Sequence, residues 1–141
     1  MQVALIGATG FVGKAVLAEL LQRGHSVVAL ARQPEKIAAQ LHLKVGAADV
    51  MNAATVRQAV AGSDAVLSAY NAGWANPNIY DDFMRGSRAI VAGTKAAGVA
   101  RYLVVGGAGS LWVGDKQVVD SPDFPAAIKP GATAARDMLT E

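Results

Sequence analysis

Short apolar runs alternate along the chain with longer segments in which apolar residues recur at helical spacing. The apolar runs predict five strands: Val3–Ile6, Ser26–Ala31, Leu43–Ala47, Ala65–Ala69 and Tyr102–Val105. The remaining periodic segments predict five helices: Phe11–Arg23, Pro34–Leu41, Asn52–Ala61, Pro77–Ala97 and Ala132–Thr140. Residues 107–127 are rich in Gly, Asp, Ser and Pro, and we predict that they form a loop.

Glycine and asparagine mark the predicted helix ends. Gly24, Gly62 and Gly98 lie at the ends of three helices, where a left-handed residue commonly stops the helical backbone. Asn52 and Asn76 lie at two helix starts, where a side-chain oxygen can accept hydrogen bonds from free backbone amides. These signals support the helix limits given above.

Strands that are apolar along their whole length are buried on both faces, which is typical of a parallel sheet covered by helices. We therefore predict an α/β fold, a Rossmann-type doubly wound parallel sheet with strand order 3-2-1-4-5. Right-handed crossover connections favour that order. A chain of 141 residues suffices for one domain of this kind, residues 1–141.

Composition narrows the class of protein. Apolar residues make up 52% of the chain and charged residues 17%, as in folded globular domains. The net charge of +2 is spread without a basic run, so we predict no nucleic-acid partner. No cysteine is present, and the longest uncharged stretches contain Gly, Asn, Pro or Ser and cannot cross a membrane. Because the first strand leaves no room for a signal peptide, we predict a cytoplasmic protein.

The glycine-rich stretch GATGFVGK follows the first strand and opens the first helix. A P-loop would need four residues between its glycines and a hydroxyl residue after the lysine. Here Gly7 and Gly13 are too far apart, and Ala15 follows Lys14. A dinucleotide-binding turn fits better. In it Gly7 allows the tight turn, Gly10 lets the backbone approach a pyrophosphate, and Gly13 lets the helix pack on the sheet.

The spacing G-x-x-G-x-x-G in GATGFVG resembles the fingerprint of the extended and atypical short-chain dehydrogenase/reductases. DAVLSAYNAG, RGSRAIVAGTKAAGVARY and GVARYLVVGGAGS are similar to later parts of that family. The most similar subgroup is NAD(P)H-binding and includes NmrA-like proteins and NADH-flavin reductases. The resemblance implies a nicotinamide cofactor held by a set of residues from the strand ends: Gly7, Thr9, Gly10, Phe11, Val12, Gly13, Arg32, Asp49, Val50, Ala69, Tyr70 and Asn71.

The tip of the second strand bears on the choice between NAD and NADP. An acidic residue there would bind the ribose 2′-hydroxyl of NAD, and the sequence ALARQPEK has none. Arg32, assisted by Lys36, could pair with the 2′-phosphate of NADP, which we predict as the cofactor, with NAD as the alternative. Arg32 could equally be a solvated loop charge. Asp49 could contact the adenine edge or cap the next helix, and Tyr70 could be packing.

The family's catalytic residues are a serine and a Tyr-x-x-x-Lys pair. Aligning AARDML and LVVGGAG places those positions at Ile128, Ala132 and near Gly107, so all three groups are absent. Ser110 is a weak catalytic candidate, and Lys129 could also be recruited. Tyr80 could reach the pocket, although packing is the simpler role. No cluster of histidine and carboxylate residues predicts a metal site.

A conjugated acceptor needs less acid assistance than a ketone. The resemblance and the missing proton donor together predict an NAD(P)H-dependent reductase of a flavin or quinone-like acceptor. A non-catalytic NADP-binding redox sensor is the main alternative, and a nucleotide-sugar epimerase or dehydratase is a third. Trp74 and Trp112 are candidates for stacking on a ring, or for plain packing.

The resembling family continues into a sixth strand and a substrate-binding segment. Without that strand, the fifth strand would be an exposed apolar edge of the sheet. We therefore expect either a C-terminally truncated chain or a homo-oligomer, such as a homodimer, that buries this edge.

Overall fold

Five parallel strands form the central sheet in the computed structural model, which describes all 141 residues. They are β1 (Gln2–Ile6), β2 (Ser26–Ala31), β3 (Leu43–Ala47), β4 (Ala65–Ser68) and β5 (Tyr102–Val104). Their spatial order is β3-β2-β1-β4-β5, and every neighbouring pair is parallel. The predicted Rossmann-type strand order is confirmed.

Four α-helices accompany the strands: α1 (Phe11–Gln22), α2 (Ala53–Val60), α3 (Ile79–Ala96) and α4 (Lys129–Asp137). The amides of Ala54 and Thr55 donate to Asn52 Oδ1, so Asn52 caps α2 as predicted. Gly24, Gly62 and Gly98 all have positive φ, which confirms the three predicted helix stops. No helix is both long enough and apolar enough to cross a membrane.

The chain divides into two compact units. Unit 1 comprises residues 1–70 and 88–105 and contains the five-stranded sheet. Unit 2 comprises residues 71–87 and 106–141 and contains α4. Helix α3 belongs to unit 2 in its first half and to unit 1 in its second.

Unit 1 has a core on each face of its sheet, because alternate side chains of β1 point to opposite sides. Ala4 and Ile6 pack in one cluster with Val56 and Val60 of α2 and Ile90 of α3. The other cluster brings Leu5 together with buried residues of α1 and β2: Ala8, Leu17, Val27 and Ala29. The apolar run of β1 is therefore buried on both faces, as predicted.

Unit 2 contains structure in a segment that the sequence predicts as a loop. Strands β6 (Trp112–Val113) and β7 (Lys116–Gln117) form a short antiparallel hairpin, flanked by 3-10 turns at Ala108–Ser110 and Val118–Asp120. Gln117 Nε2 donates to the carbonyl of Ser110 at 3.0 Å, which links the hairpin to the first turn. Two-residue strands lack the alternation that makes longer strands visible in a sequence.

Three helix predictions need correction. The helix predicted over Pro34–Leu41 is only a 3-10 turn, Pro34–Lys36, because the backbone becomes extended at Ile37. Helix α3 begins at Ile79 rather than residue 77, since Asn76 accepts amide hydrogen bonds from residues 78 and 79 in a preceding turn. Helix α4 begins at Lys129 rather than residue 132, with Pro130 in its first turn, where proline is favoured.

The outer edge of the sheet is apolar and exposed. β5 pairs only with β4, so its other side has no strand partner. Leu103 is 55% exposed, and Val104 and Val105 are also exposed. This agrees with the prediction that the fifth strand lies at an uncovered edge.

Candidate nucleotide-binding site

The glycine turn after β1 is packed too tightly for any side chain at two of its three glycines. Gly7 has φ +81°, and a Cβ there would lie 2.6 Å from the carbonyl oxygen of Ala69. A Cβ at Gly13 would lie 1.9 Å from the carbonyl oxygen of Gly7. Gly7 therefore joins the turn to the end of β4, and Gly13 lets α1 start directly against the turn.

The third glycine faces outward and leaves backbone donors free. Gly10 is exposed, is the N-cap of α1, and donates its amide to Gly7 O at 3.0 Å. The first amide of α1 with an acceptor is that of Lys14, which donates to Gly10 O. The amides of Phe11, Val12 and Gly13 precede it, no side chain caps them, and no acidic residue lies in the first turn. This geometry fits a diphosphate group, which free amides at a helix N-terminus bind well.

Two other loop residues lie on opposite sides of this turn. Thr9 is half-buried and lines the cleft described below. Phe11 is 98% exposed, so its ring contacts almost nothing in the chain. Val12 is also exposed. A fully exposed aromatic beside free amides is unusual for a folded domain and marks a surface suited to a ligand.

A cleft of about 210 Å³ lies beside the glycine turn, between α1 and the Pro34–Lys36 turn. Thr9, Lys14 and Lys36 contribute its polar lining, and Leu17 and Ile37 are among its apolar residues. The turn after β2 thus brings Lys36 to the same cleft as Lys14. Two ammonium groups at one small cleft favour an anionic ligand.

Arg32 immediately follows β2 and is exposed. Neither its guanidinium nor the Lys36 ammonium forms a salt bridge within the chain, whereas Arg23, Arg85 and Arg136 all do. Both cations therefore remain available for a ligand.

The end of β3 places its predicted residues differently from one another. Asp49 is exposed, and its Oδ1 accepts the amide of Met51 at 2.9 Å. The carboxylate thus stabilises the turn before α2, while Asn52 caps the helix itself. Val50 is partly buried against the core cluster that contains Val56.

The end of β4 is fixed to the glycine turn. The Ala69 amide donates to Ile6 O at 2.9 Å, and its carbonyl lies against Gly7. The Tyr70 amide donates to Ser68 Oγ at 3.3 Å, and its side chain packs against the core of unit 1. Asn71 begins unit 2, where its Oδ1 accepts the amide of Gly73 at 2.7 Å.

In unit 2, small residues occupy the positions aligned with the family's catalytic groups. A Cβ on Gly109 would lie 3.4 Å from the Ala132 methyl, so the turn and α4 are close. Ser110 Oγ donates to Gly107 O at 2.8 Å, which engages its proton in closing the turn. Ile128 is 40% exposed and carries no acid. The role of Ser110 in catalysis stays a prediction.

Tyr80 belongs to a polar network that the sequence does not reveal. Its hydroxyl donates to Asp137 Oδ2 at 2.9 Å, and Arg136 Nε donates to Asp137 Oδ1 at 2.8 Å. Arg136 also binds both carboxylate oxygens of Asp120. The Arg136 hydrogen bond, helped by that of Tyr80, lowers the pKa of the Asp137 carboxyl. The network ties the two ends of unit 2's sequence together.

Lys14 is the one cleft residue that the sequence prediction omitted. Its signal was present, because Lys14, Leu17 and Ala18 share one face of α1 at helical spacing. What sequence could not supply was the short turn after β2 that forms the opposite wall.

Comparison with known proteins identifies the family. A family profile described as NAD(P)H-binding matches residues 7–140, almost the whole chain. The chain belongs to this NAD(P)H-binding family. The resemblance to the atypical short-chain dehydrogenase/reductase and NmrA-like subgroup is thereby confirmed.

Relatives and solved structures agree with this assignment. The uncharacterised protein YwnB of Bacillus subtilis is 32% identical over all of this chain and 65% of its own length. A crystal structure of a candidate epimerase from Bacteroides thetaiotaomicron is 44% identical with a TM-score of 0.89, covering 99% of this chain and 63% of that one. A candidate NADH-flavin reductase from Streptococcus pneumoniae is 33% identical with a TM-score of 0.76, covering 99% and 64%. This chain therefore spans just under two thirds of the length of these relatives.

Proposed function

We propose that this protein is an NADPH-dependent reductase that transfers a hydride to a flavin or quinone-like acceptor. The observation that carries the proposal is the open glycine turn, with free amides at the start of α1, in a chain whose aligned proton-donor positions hold Ile128 and Ala132. Bound NADPH would supply the hydride, and one proton from solvent would complete reduction of the acceptor. A conjugated ring system delocalises the incoming charge and so needs no strong acid beside it.

In this proposal the chain acts chiefly by binding and orientation. The amides of Phe11, Val12 and Gly13 hold the diphosphate, and the tight packing of Gly7 fixes the turn relative to β4. Holding donor and acceptor rings about 3–3.5 Å apart accounts for most of the rate gain in such a reaction. The similarity to the candidate flavin reductase from Streptococcus pneumoniae supports the choice of acceptor.

Preference for NADP over NAD is part of the same proposal. The unpaired Arg32 follows β2, and the cleft lined by Lys14 and Lys36 lies beside the glycine turn. No acidic residue in Arg32–Lys36 other than Glu35 competes for the ribose, and Glu35 is exposed in the 3-10 turn. A guanidinium with two ammonium groups suits a 2′-phosphate rather than a neutral hydroxyl. A cytoplasmic location, where NADPH is regenerated, follows from this proposal.

A non-catalytic redox sensor is the second candidate. It is favoured by the engagement of Ser110 Oγ with Gly107 O, which leaves the aligned catalytic region without an available proton. An epimerase or dehydratase is a weaker reading despite the relative from Bacteroides thetaiotaomicron, because Ile128 stands where that chemistry needs a tyrosine.

The test combines an oxidation assay with calorimetry. Purified protein should oxidise NADPH when FMN, riboflavin or a soluble quinone is added, and calorimetry should show tighter binding of NADPH than of NADH. Gly10→Ala is the matched control, because it blocks the turn while the fold is kept. Binding of both NADP redox forms with equal affinity and no oxidation across the panel would establish the sensor instead.

A further inference from the structure

Trp74 is a large aromatic residue exposed at the surface of unit 2. It is 58% exposed, although an indole of this size is usually well buried in a folded domain. It lies in the segment Asn71–Asn78, which follows β4 and precedes α3. Its exposure leaves an aromatic surface free to bind another ring.

The exposed indole is seated against α4. Gly131 is buried in the first turn of α4, and a Cβ there would lie 2.8 Å from Trp74 Cζ3 and 3.3 Å from Trp74 Cε3. The same Cβ would lie 2.8 Å from Ile79 Cδ1. The six-membered part of the indole therefore rests against the glycine backbone, and only glycine leaves room for it.

Hydrogen bonds on both sides of Trp74 fix its backbone. The Gly73 amide donates to Asn71 Oδ1 at 2.7 Å, and the Asn76 amide donates to Gly73 O at 3.0 Å. Asn76 Nδ2 also donates to the Ala72 carbonyl and to Asp82 Oδ2. An aromatic ring held in this way loses little conformational entropy when a planar ligand stacks on it.

We propose that Trp74, seated on Gly131, is the stacking surface for the isoalloxazine ring of the flavin acceptor. The inference rests on the proposed function and names the residue that recognises the acceptor's ring. An indole stacks on any flat π-system, and the electron-poor flavin ring suits it better than a smaller, non-aromatic acceptor. Trp112 is exposed as well, but it lies on a two-residue strand between exposed Leu111 and Val113, without a comparable seat.

Ring size and ring position can be tested separately. Trp74→Leu removes the π-system, Trp74→Phe keeps a smaller one, and Gly131→Ala keeps Trp74 but displaces the indole. By the usual loss on removing a base-stacking aromatic, Trp74→Leu should raise the KM for FMN at least about five-fold. Gly131→Ala should raise it in the same direction, and Trp74→Phe should recover part of the loss.

Several measurements keep ring recognition distinct from structural damage. The KM for riboflavin should rise in parallel with that for FMN, because the two share the ring and differ in the phosphate. The Kd for NADPH and the melting temperature of Trp74→Leu should match the wild type. Wild-type protein should also quench FMN fluorescence, and Trp74→Leu should not. Leu139→Ala, which removes another exposed apolar side chain of unit 2, is the matched control and should leave both KM values unchanged.

The outcomes separate this inference from the proposed function. Absence of NADPH oxidation by the wild type with every acceptor would overturn the proposed function. Wild-type oxidation with an unchanged flavin KM in Trp74→Leu and Gly131→Ala would overturn the stacking role alone. So would a KM change confined to FMN, or a Trp74→Leu variant whose only change is conversion of a dimer to a monomer, which would show that Trp74 contacts a second copy.

Discussion

Gly10→Ala should separate cofactor binding from folding. Gly10 has φ −75° and ψ 172°, an extended conformation that alanine adopts without strain. The closest atom to an added Cβ is Gly7 O at 3.4 Å, which is near ordinary contact distance. The free energy of unfolding should therefore change by no more than about 0.5 kcal/mol. The added methyl group would instead occupy the exposed face of the turn, where the diphosphate approaches.

The expected loss of affinity follows from one displaced amide–phosphate contact. A hydrogen bond to a charged group contributes about 1.5–3 kcal/mol. The Kd for NADPH should therefore rise by about 10- to 150-fold. Isothermal titration calorimetry gives the Kd, and thermal unfolding of the same samples gives the stability.

Two other glycine variants complete the comparison. Gly13→Ala should lose both stability, by at least about 1–3 kcal/mol, and NADPH binding, because its Cβ would overlap the Gly7 carbonyl. Gly24→Ala should cost about 1–2 kcal/mol for its left-handed backbone, yet leave the Kd unchanged, since no atom lies within 4 Å of its Cβ. A Gly10→Ala protein that binds NADPH like the wild type would refute the assignment of this turn to the diphosphate.

Arg32→Ala should raise the Kd for NADPH at least about ten-fold, the effect of losing one paired charge, and barely alter that for NADH; equal effects on both would remove Arg32 from 2′-phosphate recognition. Asp137→Asn should flatten the acid limb of the stability profile. Arg136 lowers the pKa of Asp137 from 3.8, so its contribution is complete above that value and is lost as pH falls through the lower folded pKa. Chemical unfolding of both proteins from neutral to acid pH measures this, and parallel profiles would contradict it. We propose that copies of this chain associate through the exposed β5 edge, so Leu103→Lys should lower the dimer fraction in analytical ultracentrifugation, and an unchanged sedimentation profile would exclude that edge.

The sheet was predictable because burial on both faces leaves a strong trace in sequence. The apolar runs at β1, β2 and β4 have no polar residue that solvent would require, so their order followed from crossover handedness. The glycine turn was predictable because each glycine has its own spacing constraint. Asn52 was recognisable as a cap because its contacts are with the next three residues.

Features that depend on distant residues were not predictable. The seat of Trp74 needs Gly131, which is remote in sequence and looks like a helix-weakening residue. The bond between Tyr80 and Asp137 joins residues 57 positions apart. The segment after Pro34 carries helix-forming residues, yet the backbone turns extended at Ile37, whose side chain packs against the α1 side of the core. Tertiary packing overrode local preference there.

The close contacts of Gly7 and Gly13 bear on how quickly nucleotides exchange. Because neither residue leaves space for backbone adjustment, the turn keeps one shape whether or not a nucleotide is bound. Little reorganisation then slows capture, and the association rate constant should fall in the ordinary range of about 10⁵–10⁷ M⁻¹s⁻¹. Differences between nicotinamide nucleotides would consequently reside in their dwell times on the protein.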